Sequence, residues 1–474
     1  MPLATSCAHC LPRCCCLLAV DLLKILFTIW FAFSAAAFTW LYLALPRDGT
    51  SNIDSTIFLP GQTTHGHYQI ELKCSACHTP DGQVSEQSCI DCHAAALKLS
   101  RDTHPQTKFR DPAKADLLEK IDASSCITCH AEHKEDRTLP MGVTVPADFC
   151  FHCHEGVADD RPSHADMAFD TCTNAGCHNY HDNTALYENF LKKHLNEPDL
   201  LQTAAVPRRS LDPTRETVSR RQDETLTADL ADAPIEFTDH ATTLKWAKSS
   251  HALTGINCSG CHEQTTEKTS TQNKSSQSTA SWISDLNHQS CKSCHQQEVS
   301  GFLAGKHGMR LAAGLPPMSP ELAHSPMHSA AVHAQLSCAS CHDPHQPDLR
   351  FAAHDACLKC HDDQHTRSYQ NSGHQQLWLK ELSGQAAPGT GVSCATCHMP
   401  RGEDGRVQHN QNSNLQPNEK MVRTVCLNCH GMQFTLDSLA DPLQKAKCYS
   451  APPVSHVNSL EMVDQWFRSK QNKK

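Results

Sequence analysis

Aromatic side chains are scarce in this chain of 474 residues, where Phe, Trp and Tyr together make up 6%. Hydrophobic residues as a whole reach 39%, which is too little apolar bulk for one large core built from side chains alone. Patterns of alternating polar and apolar residues are almost absent, which argues against a fold rich in β-strands. Basic residues are fewer than acidic ones, and the formal net charge is −10. This negative sign argues against a nucleic-acid partner.

Cysteine and histidine are abundant instead, with 28 and 33 copies. Ten strict copies of the run C-x-x-C-H account for most of the cysteines. They are Cys74/Cys77/His78, Cys89/Cys92/His93, Cys126/Cys129/His130, Cys150/Cys153/His154, Cys258/Cys261/His262, Cys291/Cys294/His295, Cys338/Cys341/His342, Cys357/Cys360/His361, Cys394/Cys397/His398 and Cys426/Cys429/His430. An expanded eleventh copy, Cys172/Cys177/His178, has four residues between its cysteines instead of two.

The run C-x-x-C-H is the attachment signature of haem c. Its two thiols form thioethers to the haem vinyl groups, and its histidine becomes the first axial ligand of the iron. Zinc ribbons also use C-x-x-C pairs, but they do not require a histidine after every second cysteine. The sequence therefore predicts eleven covalently bound haem c groups. Stacked haems would supply the missing core, in a mainly α fold with much irregular chain.

A stretch without cysteine separates two groups of motifs, between Asn179 and Asn257. Residues 264–281 within the second group are rich in Ser, Thr, Gln and Lys and predict a surface loop. The predicted segments are a cytoplasmic tail 1–24, a transmembrane anchor 25–45, a spacer 46–66, a pentahaem module 67–196, a linker 197–235, a hexahaem module 236–450 and a C-terminal helix and tail 451–474.

An uncharged run from Ile25 to Leu45 is long enough to cross a bilayer as a helix. Arg13 and Lys24 precede it, which predicts an N-terminus on the cytoplasmic side. A cleaved signal peptide, cut near Ala35 to Ala37, is the alternative, but its apolar region is usually shorter. We therefore expect a single-pass protein of the bacterial inner membrane, with its haem modules in the periplasm.

An iron that only carries electrons needs a second strong axial ligand. Apart from the eleven motif histidines and His9, 21 of the 33 histidines remain for these positions. Two patterns select six candidates: an aromatic residue five positions before His251, His307 and His374, and the extended run C-x-x-C-H-x-x-H ending at His133, His181 and His345. His67, His104, His164, His328 and His409 complete the predicted set. The competing candidates are His65, His194, His333, His354 and His365.

These motifs resemble multihaem c-type cytochromes. The first module is similar to class III and related small multihaem cytochromes, which implies irregular chain around closely packed bis-histidine haems. The second module resembles the superfamily of hydroxylamine oxidoreductase, octahaem reductases and pentahaem nitrite reductase, through the run Gly391 to Pro400 and the pair His409-Asn410. Trp246 and Ser250-His251, ahead of Cys258, resemble the tetrahaem electron-acceptor cytochromes of that superfamily.

The chain departs from the enzymes of that superfamily. It has no C-x-x-C-K run, which pentahaem nitrite reductases use at their catalytic haem, and Tyr369 is the single Tyr between haem motifs of the second module. The first hypothesis is therefore an electron carrier between the membrane, including its quinol pool, and redox protein partners. The second hypothesis is a reductase of nitrite, hydroxylamine or a sulfur species such as tetrathionate at one open haem, with Arg367 and Tyr369 as the nearest cluster.

Overall fold

A computed structural model gives the structure of the protein and describes residues 12–44, 58–109, 111–161, 164, 178–184, 186–207, 225–266, 279–402, 404–415 and 418–472. The chain forms two compact units, Met1–Pro60 and Gly61–Lys474. Both groups of haem motifs lie in the second unit. Cys172 and Cys177 of the expanded motif, residues 208–224 of the predicted linker and residues 267–278 of the predicted surface loop lie outside the described residues.

The first unit contains the helix α1 (Pro12–Ala44). Within the described residues, no helix is both long and apolar enough to cross a membrane. This finding contradicts the predicted single-pass location in the inner membrane, and it leaves the predicted anchor at 25–45 unconfirmed.

The second unit is mainly helical with much irregular chain, as the sequence predicted. Its first half contains α2 (Glu86–Ser100), α3 (Gln106–Phe109), α4 (Ala115–Lys120), α5 (Cys126–Cys129), α6 (Val157–Asp160) and α7 (Glu188–Lys193). Its second half contains α8 (His240–Ala247), α9 (Ser250–Leu253), α10 (Ser259–His262), α11 (His288–Lys292), α12 (Gln296–Ala304), α13 (Met309–Ala312), α14 (Leu349–Ala353), α15 (Asp355–Leu358), α16 (Gln364–Tyr369), α17 (Gly373–Leu382), α18 (Cys394–His398), α19 (Met421–Thr424), α20 (Met432–Ala440), α21 (Pro442–Ala446) and α22 (Ser459–Asn472).

Single turns of 3₁₀ helix carry several of the haem motifs. These turns are Cys74–Ala76, Pro112–Lys114, Glu135–Arg137, Pro140–Gly142, Phe149–His152, Ala228–Leu230, Ile235–Phe237, Pro320–Leu322, Ser329–Ala331, Cys338–Ser340, Asn418–Lys420 and Cys426–Asn428. An antiparallel hairpin, β1 (Glu263–Thr266) with β2 (Thr279–Trp282), pairs Glu263 with Trp282. The sequence did not predict this hairpin, because its strands are rich in Thr and Gln and have no apolar face.

A cluster of ten buried apolar side chains joins the middle of the chain to its C-terminus. Its members are Leu186, Leu191, Met421, Val422, Val425, Met432, Leu436, Leu439, Leu460 and Val463. Helix α22 contributes because Leu460, Val463 and Phe467 recur at helical spacing and so share one face. The cluster packs against Cys397 and Cys426, which places it beside two haem motifs.

The first residues of the predicted linker are bonded to the second group of motifs. The backbone N–H of Leu201 donates to the Cys429 carbonyl at 2.8 Å, and the N–H of Val206 donates to the Gly389 carbonyl at 2.7 Å. The Glu197 carboxylate accepts from the Met432 N–H at 3.1 Å. Residues 197–206 are therefore part of the packed second unit.

Candidate functional site

Each strict motif is folded as one turn of helix. The histidine N–H donates to the carbonyl of the first cysteine, for example at 2.8 Å from His78 to Cys74, 2.9 Å from His342 to Cys338 and 2.8 Å from His430 to Cys426. This turn brings both thiols and the imidazole to one side of the backbone. The described motif cysteines are free thiols, which is the form needed for attachment to a haem.

Four of the predicted haem-binding thiols are exposed. They are Cys74, Cys92, Cys153 and Cys294. Three of them, Cys92, Cys153 and Cys294, are the second cysteine of a motif whose first cysteine is partly buried. These thiols are accessible for thioether formation with the haem vinyl groups.

A second imidazole faces ten of the eleven motif histidines. The distances between ring centres are 5.9 Å for His93 with His67, 6.2 Å for His154 with His104, 6.3 Å for His130 with His181, 6.0 Å for His178 with His164, 6.2 Å for His295 with His251, 6.0 Å for His262 with His345, 6.1 Å for His361 with His307, 6.3 Å for His342 with His409, 6.0 Å for His398 with His365 and 6.3 Å for His430 with His374.

This spacing fits a metal ion held between the two rings. Two imidazoles on opposite sides of one ion, with metal–nitrogen bonds of about 2 Å, place their ring centres roughly 6 Å apart. The ten observed distances differ by only a few tenths of an ångström, although the pairs come from different helices, turns and loops. The donor set is therefore suited to the iron of haem c with two histidine ligands.

In several of these rings Nδ1 donates a hydrogen bond, which leaves Nε2 unprotonated and able to bind a metal. Backbone carbonyl oxygens accept from His251 (Pro344, 3.1 Å), His262 (Ile283, 2.6 Å), His365 (Lys445, 2.7 Å), His409 (Val407, 3.0 Å) and His430 (Asp199, 2.9 Å). Carboxylates accept from His67 (Glu132, 2.6 Å) and His181 (Asp102, 3.0 Å). Because these oxygens can only accept, Nδ1 carries the proton and Nε2 keeps its lone pair for a metal.

Burial favours the neutral form of several paired histidines. Desolvation lowers the pKa of His307 and of His398 to about 4. It also lowers the pKa of His93, His130, His178, His361 and His374. A protonated imidazole cannot ligate iron, so this environment favours the form that does.

Part of the first module matches a known family. Residues 66–155 match the family model for cytochrome c3. The match covers the first four strict motifs together with His67, His104 and His133, and it supports a multihaem electron-transfer cytochrome with covalently bound haem c. No curated protein and no solved structure matches the chain. The resemblance of the second module to the hydroxylamine oxidoreductase superfamily is not shown.

His78 is the one motif histidine without a ring contact in the part of the chain that the structure describes. The predicted ligand His133 has the same Nδ1 arrangement as the paired rings, since it donates to the Gly61 carbonyl at 2.7 Å. A side chain at position 61 would meet the His133 carbonyl oxygen at 2.9 Å, so this approach requires glycine. Burial and the nearby Glu132 carboxylate raise the pKa of Cys77, so the chain next to His133 lies close to the first motif.

The ring of His365 faces a motif histidine, whereas the ring of the predicted ligand His328 does not in the described chain. The sequence ranked His365 among the competing candidates, yet its ring faces His398, and α16 positions it four residues after the motif histidine His361. The run C-x-x-C-H-x-x-x-H at this point, one residue longer than the pattern used, is the signal that could have found it. His328 instead lies 3.8 Å from the Asp362 carboxylate, and its backbone N–H donates to Cys360.

The rings of the four remaining competing candidates contact side chains other than a motif histidine. His194 bonds to Glu197 at 2.7 Å, His333 bonds to Glu321 at 3.2 Å on the surface, and His65 lies 5.8 Å from the ring of His324. His354 is buried and bonds to Asp355 at 2.7 Å beside the Tyr369 ring. None of these rings is at 5.9–6.3 Å from a motif histidine in the described chain.

Arg367 and Tyr369 have structural roles. The Arg367 guanidinium donates to the Asp362 carboxylate at 3.0 Å on the exposed side of α16. The buried Tyr369 hydroxyl donates to the Val392 carbonyl at 2.6 Å, and burial raises the pKa of this phenol. Tyr369 therefore holds the chain ahead of Cys394, and Arg367 binds the residue that follows His361.

Successive motifs contact one another. The Cys89 thiol lies close to the Cys126 thiol, and the Cys291 thiol lies close to the Cys338 thiol. The Cys394 thiol likewise lies close to that of Cys357 and, together with burial, raises the pKa of Cys357. Attached haems on such neighbouring motifs would be close enough to exchange electrons.

Proposed function

We propose that the protein is an electron carrier that holds eleven haem c groups, each with two histidine ligands. The observation that carries the proposal is the second imidazole 5.9–6.3 Å from ten of the eleven motif histidines. Haem supplies one-electron chemistry when it is bound. Two strong ligands on each iron leave no position for a substrate, and they keep the coordination the same in both oxidation states.

The proposed second ligands pair with the motif histidines one by one. The pairs are His78 with His133, His93 with His67, His130 with His181, His154 with His104, His178 with His164, His262 with His345, His295 with His251, His342 with His409, His361 with His307, His398 with His365 and His430 with His374. Contacts between motif cysteines support transfer from haem to haem along the chain.

The proposed partners are redox proteins. The net charge of −10, made more negative by haem propionates, favours partners with a positively charged docking surface. A catalytic role receives no support from the described residues, because Arg367 and Tyr369 are bonded to Asp362 and Val392.

The haem count is the first test. We expect the intact mass of the purified protein to exceed that of the polypeptide by eleven haem masses. The variant with both Cys172→Ser and Cys177→Ser should lose one haem mass, and the variant with Cys7→Ser and Cys10→Ser should lose none. An excess of ten haem masses in the unchanged protein would show that the expanded motif does not bind haem.

The ligand set is the second test. We expect the ferric protein to have a wholly low-spin electron paramagnetic resonance spectrum. After reduction with a viologen dye, nitrite or hydroxylamine should reoxidise it only slowly, and cyanide should not change its spectrum. Rapid turnover with either substrate, together with a high-spin ferric signal, would contradict the electron-carrier proposal and show that the protein is a reductase.

A further inference from the structure

The order of ring partners along the first module recurs in the second. His67 lies seven residues before Cys74 and faces His93 of the second motif. His251 lies seven residues before Cys258 and faces His295, again of the second motif in its group. The histidine between the second and third motifs faces the fourth in both groups: His104 with His154, and His307 with His361.

Two further steps repeat with the same order. The histidine between the fourth and fifth motifs faces the fifth: His164 with His178, and His365 with His398. The histidine beyond the fifth motif faces the third: His181 with His130, and His409 with His342. In the second group, His345 ends the C-x-x-C-H-x-x-H run of the third motif and faces His262 of the first motif. In the first group, His133 ends the corresponding run, so the sequence places it in the same position with respect to His78.

Contacts around the rings repeat as well. His67 donates from Nδ1 to Glu132, the residue immediately before His133. His251 donates from Nδ1 to the carbonyl of Pro344, the residue immediately before His345. Four ligand steps that recur in both groups, together with one shared supporting contact, are unlike what two unrelated chains would produce, whereas a duplicated unit produces them directly.

The last motif of the chain, Cys426/Cys429/His430, lies outside this repeat, at the place where the two groups meet. The chain that follows the first group covers it: His430 donates from Nδ1 to the Asp199 carbonyl at 2.9 Å, and Ala205 donates to Asn428 at 3.1 Å. The Arg423 guanidinium lies 3.3 Å from the centre of the Phe190 ring. Phe190 belongs to α7, which begins after Tyr187, and the Tyr187 ring stacks on His178 at 5.3 Å.

The same motif also contacts the fifth motif of the second group. Cys397 and Cys426 pack against the same apolar cluster. The last motif, Cys426/Cys429/His430, therefore lies beside the fifth motif of the second group, and Arg423, Phe190 and Tyr187 connect it to His178 in the fifth motif of the first group.

We infer that the chain contains two copies of one five-haem unit, and that the extra haem at Cys426, Cys429 and His430 is the junction through which electrons pass between them. This inference rests on the proposed function. In each unit the fifth haem is the one that meets the junction, so the path runs from the haem of His178 through that of His430 to that of His398.

The test measures whether neighbouring haems sense each other's charge. Methionine in place of a second histidine raises the reduction potential of that haem and gives its ferric form a distinct absorption band. We would follow this band in His374→Met, which marks the junction, and in His164→Met and His365→Met, which mark the two fifth haems. The double variants His164→Met/His374→Met and His365→Met/His374→Met then form two double-mutant cycles.

We expect the midpoint potentials of the two marked haems to move apart in both double variants relative to the single variants, because reducing one haem repels an electron from its neighbour. The control is His251→Met/His374→Met, whose marked haems belong to motifs without contact in the described chain, and it should titrate as the sum of its single variants. Equal separation in the control, or no separation in the test pairs, would overturn the junction.

The outcome separates this inference from the proposed function. If the methionine variants give no methionine-ligated band, the ligand pairs themselves are wrong and the carrier proposal fails with them. If the bands appear but the markers do not interact, only the junction fails. Where a methionine variant loses its haem, lysine at the same position provides a second marker, because a lysine amine also ligates ferric iron.

Discussion

His365→Ala will convert one haem of the eleven from low-spin to high-spin, whereas His328→Ala will leave every haem low-spin. The His365 ring lies 6.0 Å from His398 and is held at Nδ1 by the Lys445 carbonyl, so its removal takes away the second ligand of that iron. His328 interacts with Asp362, on the other side of the motif histidine His361. The measurement is the high-spin signal of the ferric protein, quantified against the haem content.

Ligand binding gives the same comparison a second readout. The haem of His398 should bind cyanide in His365→Ala and not in His328→Ala, because a vacated axial position is open to small ligands. Haem content by mass should be unchanged in both variants, since neither substitution alters a cysteine. A high-spin signal in His328→Ala instead would show that His328, which the sequence analysis placed in the predicted set, is a ligand of iron.

Met432→Ala will lower the free energy of unfolding by about 2–5 kcal/mol, the range for truncating a fully buried methionine. The Met432 side chain is fully buried among Val422, Val425 and Leu436, so the truncation leaves a cavity that the packed neighbours cannot close. The measurement is unfolding in guanidinium followed by circular dichroism, with the haems still attached.

Leu443→Ala is the matched control, because it removes a similar apolar volume from a side chain that is 62% exposed. Its free energy of unfolding should change by less than about 0.5 kcal/mol. Equal losses in the two variants would mean that the haems, and not this cluster, carry the stability of the C-terminal half.

Much of the candidate site could be predicted because attachment chemistry fixes the spacing of its residues. Ten of the eleven motif histidines and nine of the predicted second histidines, from His67 to His409, occupy ring pairs. The run C-x-x-C-H-x-x-x-H marks His365, but that the ring of His328 faces no motif histidine could not be predicted, because it depends on what folding brings next to that ring. Which motif each histidine faces depends on contacts between segments distant in sequence, and residue patterns do not contain this information.

The exposure of individual thiols could not be predicted from the sequence either. Cys92, Cys153 and Cys294 occupy the same motif position as the partly buried Cys129, Cys261 and Cys341, yet they are exposed. The motif fixes the local turn, whereas the burial of each thiol depends on which distant segments pack over that turn.

The fold could be predicted only at the level of its class. Few strand patterns and many short motif turns correctly indicated a mainly helical, irregular chain. The prediction at 25–45 relied on an uncharged run of bilayer length, whereas no helix of the described residues is both long and apolar enough to cross a membrane. The bonds that tie residues 197–206 to Cys429 and Gly389 had no signal in their polar sequence, because the backbone makes them and most residue types permit them.

The cluster of buried apolar side chains has a consequence for how the chain matures. It joins Leu186 and Leu191 to Leu460 and Val463, which are far apart in sequence. Contacts across so long a loop form late, since closing the loop opposes them with a large entropy. Helix α22 must therefore be synthesised before the cluster can close. Until then the packing of this cluster against Cys397 and Cys426 is absent, so these two thiols stay accessible for attachment to a haem.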